Sequence, residues 1–372
     1  MRFSHLIIGL VLSGTAVSHP GHDICQEITE RREFINSVER SSLAHCAEKL
    51  KVRGNDGRNI ERRSAKIAEI REKRGLKKRD LETVLGTSHD HTDEGYTMRT
   101  DAATLFAGNN SCVLTPEVAV GPFYVAGERI RHNLVEDQEG VPLFLDYQLI
   151  DVETCDPIPG LFLEMWHCNA TGIYSGVISE NNGDPSDQSI MDETWLRGIQ
   201  RTDREGVAQF VSIFPGHYVP RATHIHILVH TNVTLYSNRT LGHDVYASHT
   251  GQIYFDQDLI SEVESIEPYR SNTKVVTQNS EDLLLTLESS TDGDDPLMEY
   301  AMLGDSISDG LFAWLSFGIN TTHSTSVVPG SYLYASGGVD NPDYEFNPEA
   351  EVEGLQGTTS SGAAPGEEPT ST

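Results

Sequence analysis

Basic residues are scarce in this chain of 372 residues, which contains 27 Lys and Arg against 56 Asp and Glu. The deficit lies in the larger C-terminal part, because residues 80–372 have 10 basic and 46 acidic residues while residues 19–79 carry a net charge of +6. A surface with this excess of negative charge repels phosphate groups. The composition therefore argues against nucleic acid as a partner and disfavours highly anionic substrates. We interpret the acidity as a means of keeping the protein soluble.

Long apolar runs are also missing, with one short exception near the N terminus. Residues 6–12 are apolar but too few to span a bilayer, and they lie between Arg2 and the small residues Ala16-Val17-Ser18. This order is typical of a secretory signal peptide, predicted at residues 1–18. No second stretch is long enough for a membrane helix, so we expect a secreted, extracellular protein without a membrane partner. Five sequons are compatible with N-glycosylation, at Asn109, Asn169, Asn232, Asn238 and Asn320.

Cysteine is limited to five residues, an odd number that leaves at least one thiol unpaired. An oxidising environment outside the cell favours disulfides. Cys25 and Cys46 are predicted to staple the N-terminal segment, and Cys112 is then predicted to pair with Cys155. For the remaining Cys168 we expect a buried apolar thiol rather than a metal ligand.

The sequence predicts one sizeable domain with small appendages. Residues 24–75 have helical periodicity and are followed by the dibasic sequence Lys77-Lys78-Arg79, so this segment is either a propeptide that is removed or a retained accessory hairpin. The polar sequence His89-Asp90-His91 has no apolar alternation around it and is interpreted as a solvated loop. The predicted organisation is a signal peptide at 1–18, the helical segment at 19–79, a linker at 80–106, a β-sandwich domain at 107–335 and a disordered tail at 336–372.

The central part of the chain is predicted to be mainly β. Residues 143–150, 161–166 and 207–213 are strand-like runs, and turn-forming residues at 156–160 and 203–206 separate them. A two-sheet β-sandwich is the economical architecture for such a pattern. Functional residues would then lie on loops and strand ends at one edge of the sandwich.

Two tyrosines and two histidines form the most informative pattern. His224 and His226 lie two residues apart in an alternating apolar run, so they point to one face of a strand while the intervening isoleucine points to the core. Tyr218 precedes them closely, and Tyr174 follows a short Asn-Ala-Thr-Gly-Ile sequence. Phenolates are hard anionic donors that need a highly charged ion to hold them deprotonated. The pattern predicts a ferric iron site, in which two phenolates and one hydroxide balance the 3+ charge.

Several segments carry a resemblance to a known family. They are Leu114-Thr115-Pro116-Glu117, Gly121-Pro122-Phe123-Tyr124, Glu164-Met165-Trp166-His167-Cys168, Trp195-Leu196-Arg197-Gly198-Ile199-Gln200 and Gly251-Gln252-Ile253-Tyr254-Phe255. Over roughly residues 107–290 the chain resembles the intradiol ring-cleavage dioxygenases, in particular a secreted fungal branch related to catechol 1,2- and protocatechuate 3,4-dioxygenases. One departure is Val120, where the family usually has an acidic residue.

The resemblance implies the same sandwich fold, Fe(III) as cofactor, and a small aromatic diol and O2 as substrates. Both oxygen atoms would enter a cis,cis-muconate-type diacid, while Tyr218 would leave the metal as a neutral phenol carrying a substrate proton. Arg221 matches an arginine suited to stabilising carbanion character on the ring, against the alternative of a surface salt bridge. Gln252 matches a residue that orients substrate. Pro122 and Tyr124 are expected to line the cleft.

The other histidines and the tryptophans receive plainer interpretations. His217 and His230 are expected to face solvent or to be hydrogen-bonded rather than to bind metal. Trp166 and Trp195 are expected to pack in the core.

Two other classes of function stay open. Cleavage after Ser18 would leave His19 at the N terminus, where its amine and imidazole could bind copper as in secreted polysaccharide monooxygenases, although this interpretation ignores both tyrosines. The chain could instead be a non-catalytic secreted binding module. The sequence does not select among catechol, hydroxyquinol, protocatechuate and plant-derived phenols, and it predicts no oligomeric state.

Overall fold

The computed structural model describes residues 81–100, 102–106, 121–179, 182–289 and 295–344. The signal peptide, the helical segment at 19–79, His19, Cys25, Cys46, Cys112, the motif at 114–117 and Val120 lie outside these residues and stay predictions. No helix in the described part of the chain has the length and apolar character needed to cross a membrane.

The described residues form a mainly β fold, as predicted. Twelve strands are present: β1 (Val125–Ala126), β2 (Pro142–Asp151), β3 (Phe162–Trp166), β4 (Arg197–Arg201), β5 (Val207–Ile213), β6 (His224–Thr231), β7 (Val245–Tyr254), β8 (Glu299–Met302), β9 (Leu311–Ile319), β10 (Thr325–Val327), β11 (Ser331–Tyr334) and β12 (Gly337–Asp340). Four short α-helices accompany them: α1 (Leu81–Leu85), α2 (Ala102–Leu105), α3 (Gln257–Glu264) and α4 (Leu283–Glu288).

The strands make two main sheets and one small one. The five-stranded sheet has the order β10-β7-β6-β3-β4, the four-stranded sheet β5-β2-β9-β8, and the small sheet β1-β11-β12. The predicted runs at 143–150, 161–166 and 207–213 correspond to β2, β3 and β5. Alternate apolar residues of both main sheets belong to one buried cluster, for example Leu145 of β2 and Leu163 of β3. The predicted two-sheet sandwich therefore encloses the core, with a third sheet that the sequence pattern did not indicate.

Strand β6 lies at the centre of the five-stranded sheet and separates the core from the site. Ile225 and Ile227 are fully buried in the core cluster, while His224 and His226 point to the opposite face, as the two-residue period requires. His226 is directly opposite Trp166 of β3 and Gln252 of β7. These two neighbours therefore share the face on which the histidines stand.

The prediction that His89-Asp90-His91 forms a solvated loop is wrong. His89 is fully buried, its backbone pairs with Tyr300 of β8, and its Nδ1 lies 2.7 Å from Asp256 Oδ1. Its Nε2 lies 3.3 Å from Asp295 Oδ2. Burial opposes a charge on the imidazole, but the two carboxylates outweigh that effect and raise the pKa of His89 to about 10. The buried ion cluster compensates for a segment that lacks apolar alternation.

Two further differences concern the predicted linker and tail. Helix α1, inside the predicted linker at 80–106, buries Val84 against Ala222 and Tyr254. Residues 337–340, inside the predicted tail at 336–372, form β12 and pair with β11. A Cβ at Gly338 would lie 1.8 Å from the carbonyl oxygen of Met191, so a glycine-rich strand fits where a larger residue would not. Residues 345–372 lie outside the described part of the chain.

The structure describes two of the five cysteines, Cys155 and Cys168. Cys168 is a buried free thiol, as expected, and burial raises its pKa to about 12. Cys155 is disulfide-bonded. Its pairing with Cys112 stays a prediction because Cys112 lies outside the described residues.

Candidate metal centre

The four predicted ligands converge at one end of β6. Tyr174 lies on the loop between β3 and β4, Tyr218 lies on the loop between β5 and β6, and both histidines open β6. Tyr218 Oη is 3.1 Å from His224 Nε2, which is 3.0 Å from His226 Nε2. The ring centroid of Tyr174 lies 5.5 Å from that of Tyr218 and 6.1 Å from that of His226. Loops and strand ends at one edge thus assemble the cluster, as the sequence predicts.

An asparagine side chain fixes the loop that carries Tyr174. Asn182 Oδ1 accepts a hydrogen bond from Tyr174 N at 2.7 Å, and Asn182 Nδ2 donates to Tyr174 O at 2.8 Å. Gly172 has a φ of +77°, and a Cβ there would lie 2.0 Å from the carbonyl oxygen of His217. Only glycine tolerates both conditions. The loop of Tyr174 therefore packs directly against the segment that precedes Tyr218.

His217 supports the second tyrosine rather than facing solvent. It is buried, its Nδ1 lies 2.8 Å from Glu264 Oε1, and its Nε2 lies 3.0 Å from the carbonyl oxygen of Lys274. Of the two predicted states, hydrogen-bonded or solvent-facing, the structure shows the first. The contact anchors the residue next to Tyr218 to helix α3.

His224 is held with one nitrogen ready to accept a metal. Its Nδ1 is 2.6 Å from the carbonyl oxygen of Ala222, so Nδ1 carries the hydrogen and the Nε2 lone pair faces Tyr218 Oη and His226 Nε2. Burial and the nearby charge of Arg221 lower the pKa of His224 to about 3. The imidazole is therefore neutral at ordinary pH, which is the form that binds metal ions.

The two tyrosines fit a highly charged cation. Tyr174 and Tyr218 are both buried, and burial raises the pKa of each phenol above its ordinary value. The hydroxyl of Tyr174 has no hydrogen-bond partner of good geometry among the described residues. Within the same residues, no cluster of three or more His, Cys, Asp and Glu side chains is arranged to hold a metal. A metal ion at this place would thus need phenolate ligands, and only a strongly polarising ion would deprotonate them.

Aromatic rings enclose the cluster. The ring of Phe123 stacks on Tyr174 with centroids 4.5 Å apart and meets Tyr218 edge-on at 5.7 Å. Trp166 stacks on His226 at 4.9 Å with an interplanar angle of 3°. Trp166 therefore belongs to the wall of the site as well as to the core. The sequence analysis missed Phe123, although it lies in the Gly-Pro-Phe-Tyr motif that carries the resemblance.

Tyr124 lies behind this wall. Its hydroxyl donates to Glu164 Oε2 at 3.0 Å, and its ring packs against Trp166 with centroids 5.0 Å apart. Pro122 is buried in the same segment. A contact of Tyr124 or Pro122 with substrate stays a prediction. Trp195 packs with Leu196 and Ile213, as expected for a core residue.

Arg221 is a buried residue of the site and not a surface salt bridge. Its Nε lies 2.9 Å from Asp282 Oδ2, and its Nη2 donates to Tyr254 Oη at 2.8 Å and to Gln252 Oε1. Asp282 also accepts a hydrogen bond from Ala222 N at 2.8 Å. The structure thus joins Arg221 and Gln252, which the resemblance singled out. Asp282 was missed because it lies 61 residues further along the chain with no local pattern around it.

A second buried polar group lies on the far side of Tyr174. The guanidinium of Arg197 lies 5.8 Å from the Tyr174 ring centroid and donates to Ser175 O at 2.6 Å. Glu164 Oε2 lies 2.6 Å from His230 Nε2, so His230 is buried and hydrogen-bonded rather than solvent-facing. Burial raises the pKa of the adjacent Glu128 to about 7, although Arg197 acts in the opposite direction. These residues stiffen the layer behind Tyr174.

Comparisons with known proteins agree with this arrangement. A family model described as Dioxygenase matches residues 119–302, which contain all four ligand candidates. Catechol 1,2-dioxygenase from Pseudomonas sp. (strain EST1001) is 29% identical over 209 residues, covering 49% of this chain and 63% of that protein. Catechol 1,2-dioxygenase 1 from Acinetobacter lwoffii is 28% identical over 109 residues, covering 28% of this chain and 32% of that protein. The chain thus spans less than two thirds of these curated relatives.

Solved structures are also similar to this chain. The intradiol ring-cleavage dioxygenase from Tetranychus urticae is 33% identical, with 57% of this chain and 97% of that chain covered and a TM-score of 0.47. The family assignment rests on the sequence identity and on the family model rather than on the superposition. This chain belongs to the intradiol ring-cleavage dioxygenase family.

Proposed function

We propose that this protein is a secreted Fe(III) dioxygenase that cleaves a catechol-type ring between its two hydroxyl-bearing carbons. Both atoms of O2 would enter the product, a cis,cis-muconate-type diacid. The observation that carries the proposal is the convergence of two buried phenols and two imidazoles, with Tyr218 Oη 3.1 Å from His224 Nε2 and His224 Nε2 3.0 Å from His226 Nε2. Family membership supports the same reaction.

The residues suited to hold ferric iron are Tyr174, Tyr218, His224 and His226. When bound, ferric iron would withdraw electron density from a catecholate and make a ring carbon reactive toward O2. The tyrosines neutralise much of its charge, which allows the centre to stay in a buried place. The stacked rings of Phe123 and Trp166 keep bulk water away from the ligands.

Tyr218 is the residue suited to accept a substrate proton. Its Oη lies at the centre of the cluster, 3.1 Å from His224 Nε2. Burial raises the pKa of this phenol and so favours its neutral form. A catechol that approaches with a proton on one oxygen could therefore transfer it to the phenolate oxygen of Tyr218, which would become a neutral phenol.

Arg221 supplies a fixed positive charge where the ring gains electron density. Asp282 holds it by an ion pair of 2.9 Å in a buried environment, so the guanidinium has little freedom to move. The nearby charge of Arg221 lowers the pKa of Tyr218, although burial has the larger and opposite effect. Gln252 contacts the same guanidinium nitrogen and is suited to orient a bound oxygen.

The test is oxygen incorporation by the iron-loaded protein. With isotopically labelled O2 and catechol, mass spectrometry should find both label atoms in the diacid. Tyr174→Phe should abolish turnover and lower the iron content, whereas Tyr147→Phe should retain both, because Tyr147 is also buried with an unpartnered hydroxyl but lies in the core between the sheets. Wild-type protein that holds iron yet consumes no O2 with any catechol would favour the non-catalytic binding module instead.

Export belongs to the same proposal. The signal-like sequence at 1–18 and the disulfide at Cys155 support passage through an oxidising compartment. Mass spectrometry of the mature N terminus tests it, since an N terminus at Met1 would contradict removal of a signal peptide.

A further inference from the structure

A surface cleft separate from the four ligands lies between two turns. It has a volume of about 440 Å³ and is lined by Gly127, Arg129, Tyr236, Asn238, Thr240, His243, Leu333, Tyr334 and Ala335. Tyr236 and Tyr334 are 49% and 44% exposed, which is unusual for two aromatic side chains in one cleft. The ring of His243 packs on Tyr334 with centroids 4.3 Å apart. None of these residues takes part in the proposed reaction.

A tight turn brings one sequon into this cleft. Tyr236 N donates to Thr240 O at 2.9 Å and Arg239 N donates to Tyr236 O at 3.0 Å, so residues 236–240 reverse the chain. Arg239 has a φ of +64°, which completes the turn. Asn238-Arg239-Thr240 is the sequon. Tyr236 stands two residues before the asparagine, and both side chains line the cleft.

We propose that Asn238 is an N-glycosylation site whose first sugar lies on the tyrosines of this cleft. The glycosyl donor would be an oligosaccharide linked to a lipid pyrophosphate. The bond between Asn238 Nδ2 and the sugar C1 forms as the bond between C1 and the pyrophosphate oxygen breaks. The amide nitrogen loses one proton, and the lipid pyrophosphate leaves. The inference rests on the proposed export.

The geometry of the asparagine supports the modification. Thr240 Oγ1 donates to Asn238 Oδ1 at 2.9 Å, which directs the amide with its nitrogen away from the threonine. Asn238 is exposed. Asn169 differs, since its Nδ2 donates to Gln138 Oε1 at 3.2 Å and the residue is half-buried. The side-chain amide of Asn238 is therefore more accessible for modification than that of Asn169.

The chemistry of the lining residues matches a sugar. The apolar C–H face of a pyranose packs on flat aromatic rings, and the side chains of Tyr236 and Tyr334 are both partly exposed in this cleft. Arg129 and the Tyr hydroxyls supply polar atoms at the rim for sugar hydroxyl and acetamido groups. The cleft volume lies in the range of small-ligand sites. The glycan would cover aromatic surface that is otherwise in water.

The experiment uses the full chain secreted from a glycosylating eukaryotic host. Glycopeptide mass spectrometry should find Asn238 occupied. Asn238→Gln and Thr240→Ala should both remove this glycan and lower the Tm by about 2 to 4 °C, whereas Thr240→Ser should retain both. Asn320→Gln is the matched control, because Thr322 Oγ1 donates to Asn320 Oδ1 as Thr240 Oγ1 donates to Asn238 Oδ1, but Asn320 does not line the cleft.

The role of the tyrosines is tested in the same series. In a Tyr236→Ala, Tyr334→Ala background the glycan at Asn238 should no longer change the Tm. An unoccupied Asn238 beside an occupied Asn232 or Asn320 would overturn the inference while leaving export intact. Absence of glycans at every sequon of a protein that stays inside the host would contradict export as well. A glycan whose stabilising effect survives loss of both rings would overturn the stacking.

Discussion

At the scale of single residues, hydrogen bonds fix the buried side chains and backbone of the candidate metal centre. His224 Nδ1 is hydrogen-bonded to the carbonyl oxygen of Ala222, and its Nε2 lies 3.1 Å from Tyr218 Oη and 3.0 Å from His226 Nε2. The hydroxyl of Tyr174 has no hydrogen-bond partner of good geometry among the described residues, while Asn182 fixes the Tyr174 backbone. Arg221 is bound to Asp282, Gln252 and Tyr254, and its charge lowers the pKa of the nearby His224. Hydrogen bonds to neighbouring residues therefore hold the proposed ligand residues in position.

The Arg221–Asp282 pair gives a prediction at this scale. Asp282→Ala should destabilise the fold by about 3 to 5 kcal/mol, because removing one partner leaves a buried charge uncompensated. Chemical denaturation measures it. Glu267→Gln is the control, because it removes an exposed ion pair of 2.9 Å between Glu267 and Arg270. The side chain of Arg270 is 67% exposed and that of Glu267 is 56% exposed. This variant should change the free energy of unfolding by less than about 1 kcal/mol. Equal losses for both variants would contradict the structural role of the buried pair.

At the scale of elements, a periodic pattern in the sequence predicts a strand and the side chains on each of its faces. Residues whose positions depend on contacts with distant parts of the chain are not predicted in this way. The alternation in β6 places Ile225 and Ile227 in the core and the histidines opposite, so the strand and half of the site follow from a two-residue period. Asp282 reaches the site only through tertiary packing, and no local pattern marks it. Phe123 lies in the Gly-Pro-Phe-Tyr motif, but its stacking on Tyr174 depends on tertiary packing. The segment around His89 was misread because its burial depends on acidic residues more than 160 positions away.

Residues 81–96, which contain helix α1 and the buried His89, give a prediction at the element scale. The folded-state pKa of His89 is raised to about 10, above its ordinary value, so the ion cluster stabilises the fold fully below about pH 6.5. This contribution is then lost as the pH rises through the folded pKa of about 10. We expect residues 81–96 to lose hydrogen-exchange protection between neutral and alkaline pH, ahead of the β-sandwich.

His89→Gln is the variant that separates this effect from general alkaline unfolding. It should remove the early loss of protection in residues 81–96 and leave them weakly protected at neutral pH. His132→Gln, at an exposed position, should keep the wild-type pH profile. A segment that stays protected to the global unfolding pH in the wild type would contradict the account. Because Val84 of this segment packs on Ala222 and Tyr254, its release should also lower turnover.

At the scale of the whole molecule, the family, the mainly β fold and the side chains of the candidate metal centre are all consistent with the proposed ring cleavage. The sandwich supplies two rigid sheets, and its edge gathers two loops and the start of a strand around one point. Family membership followed from motifs spread over the domain, which is why the sequence alone could indicate it. The pocket that would select among catechols, hydroxyquinols and plant phenols depends on loop packing, so the sequence could not name the substrate.

We propose that Tyr174, Tyr218, His224 and His226 bind ferric iron. The most direct measurement is the visible absorption spectrum of the purified protein, with iron quantified, before and after anaerobic addition of 4-methylcatechol. We predict a tyrosinate-to-iron charge-transfer band that shifts when the catechol binds and changes in Tyr218→Phe. A protein that stays colourless and free of iron after ferrous loading in air would contradict the account.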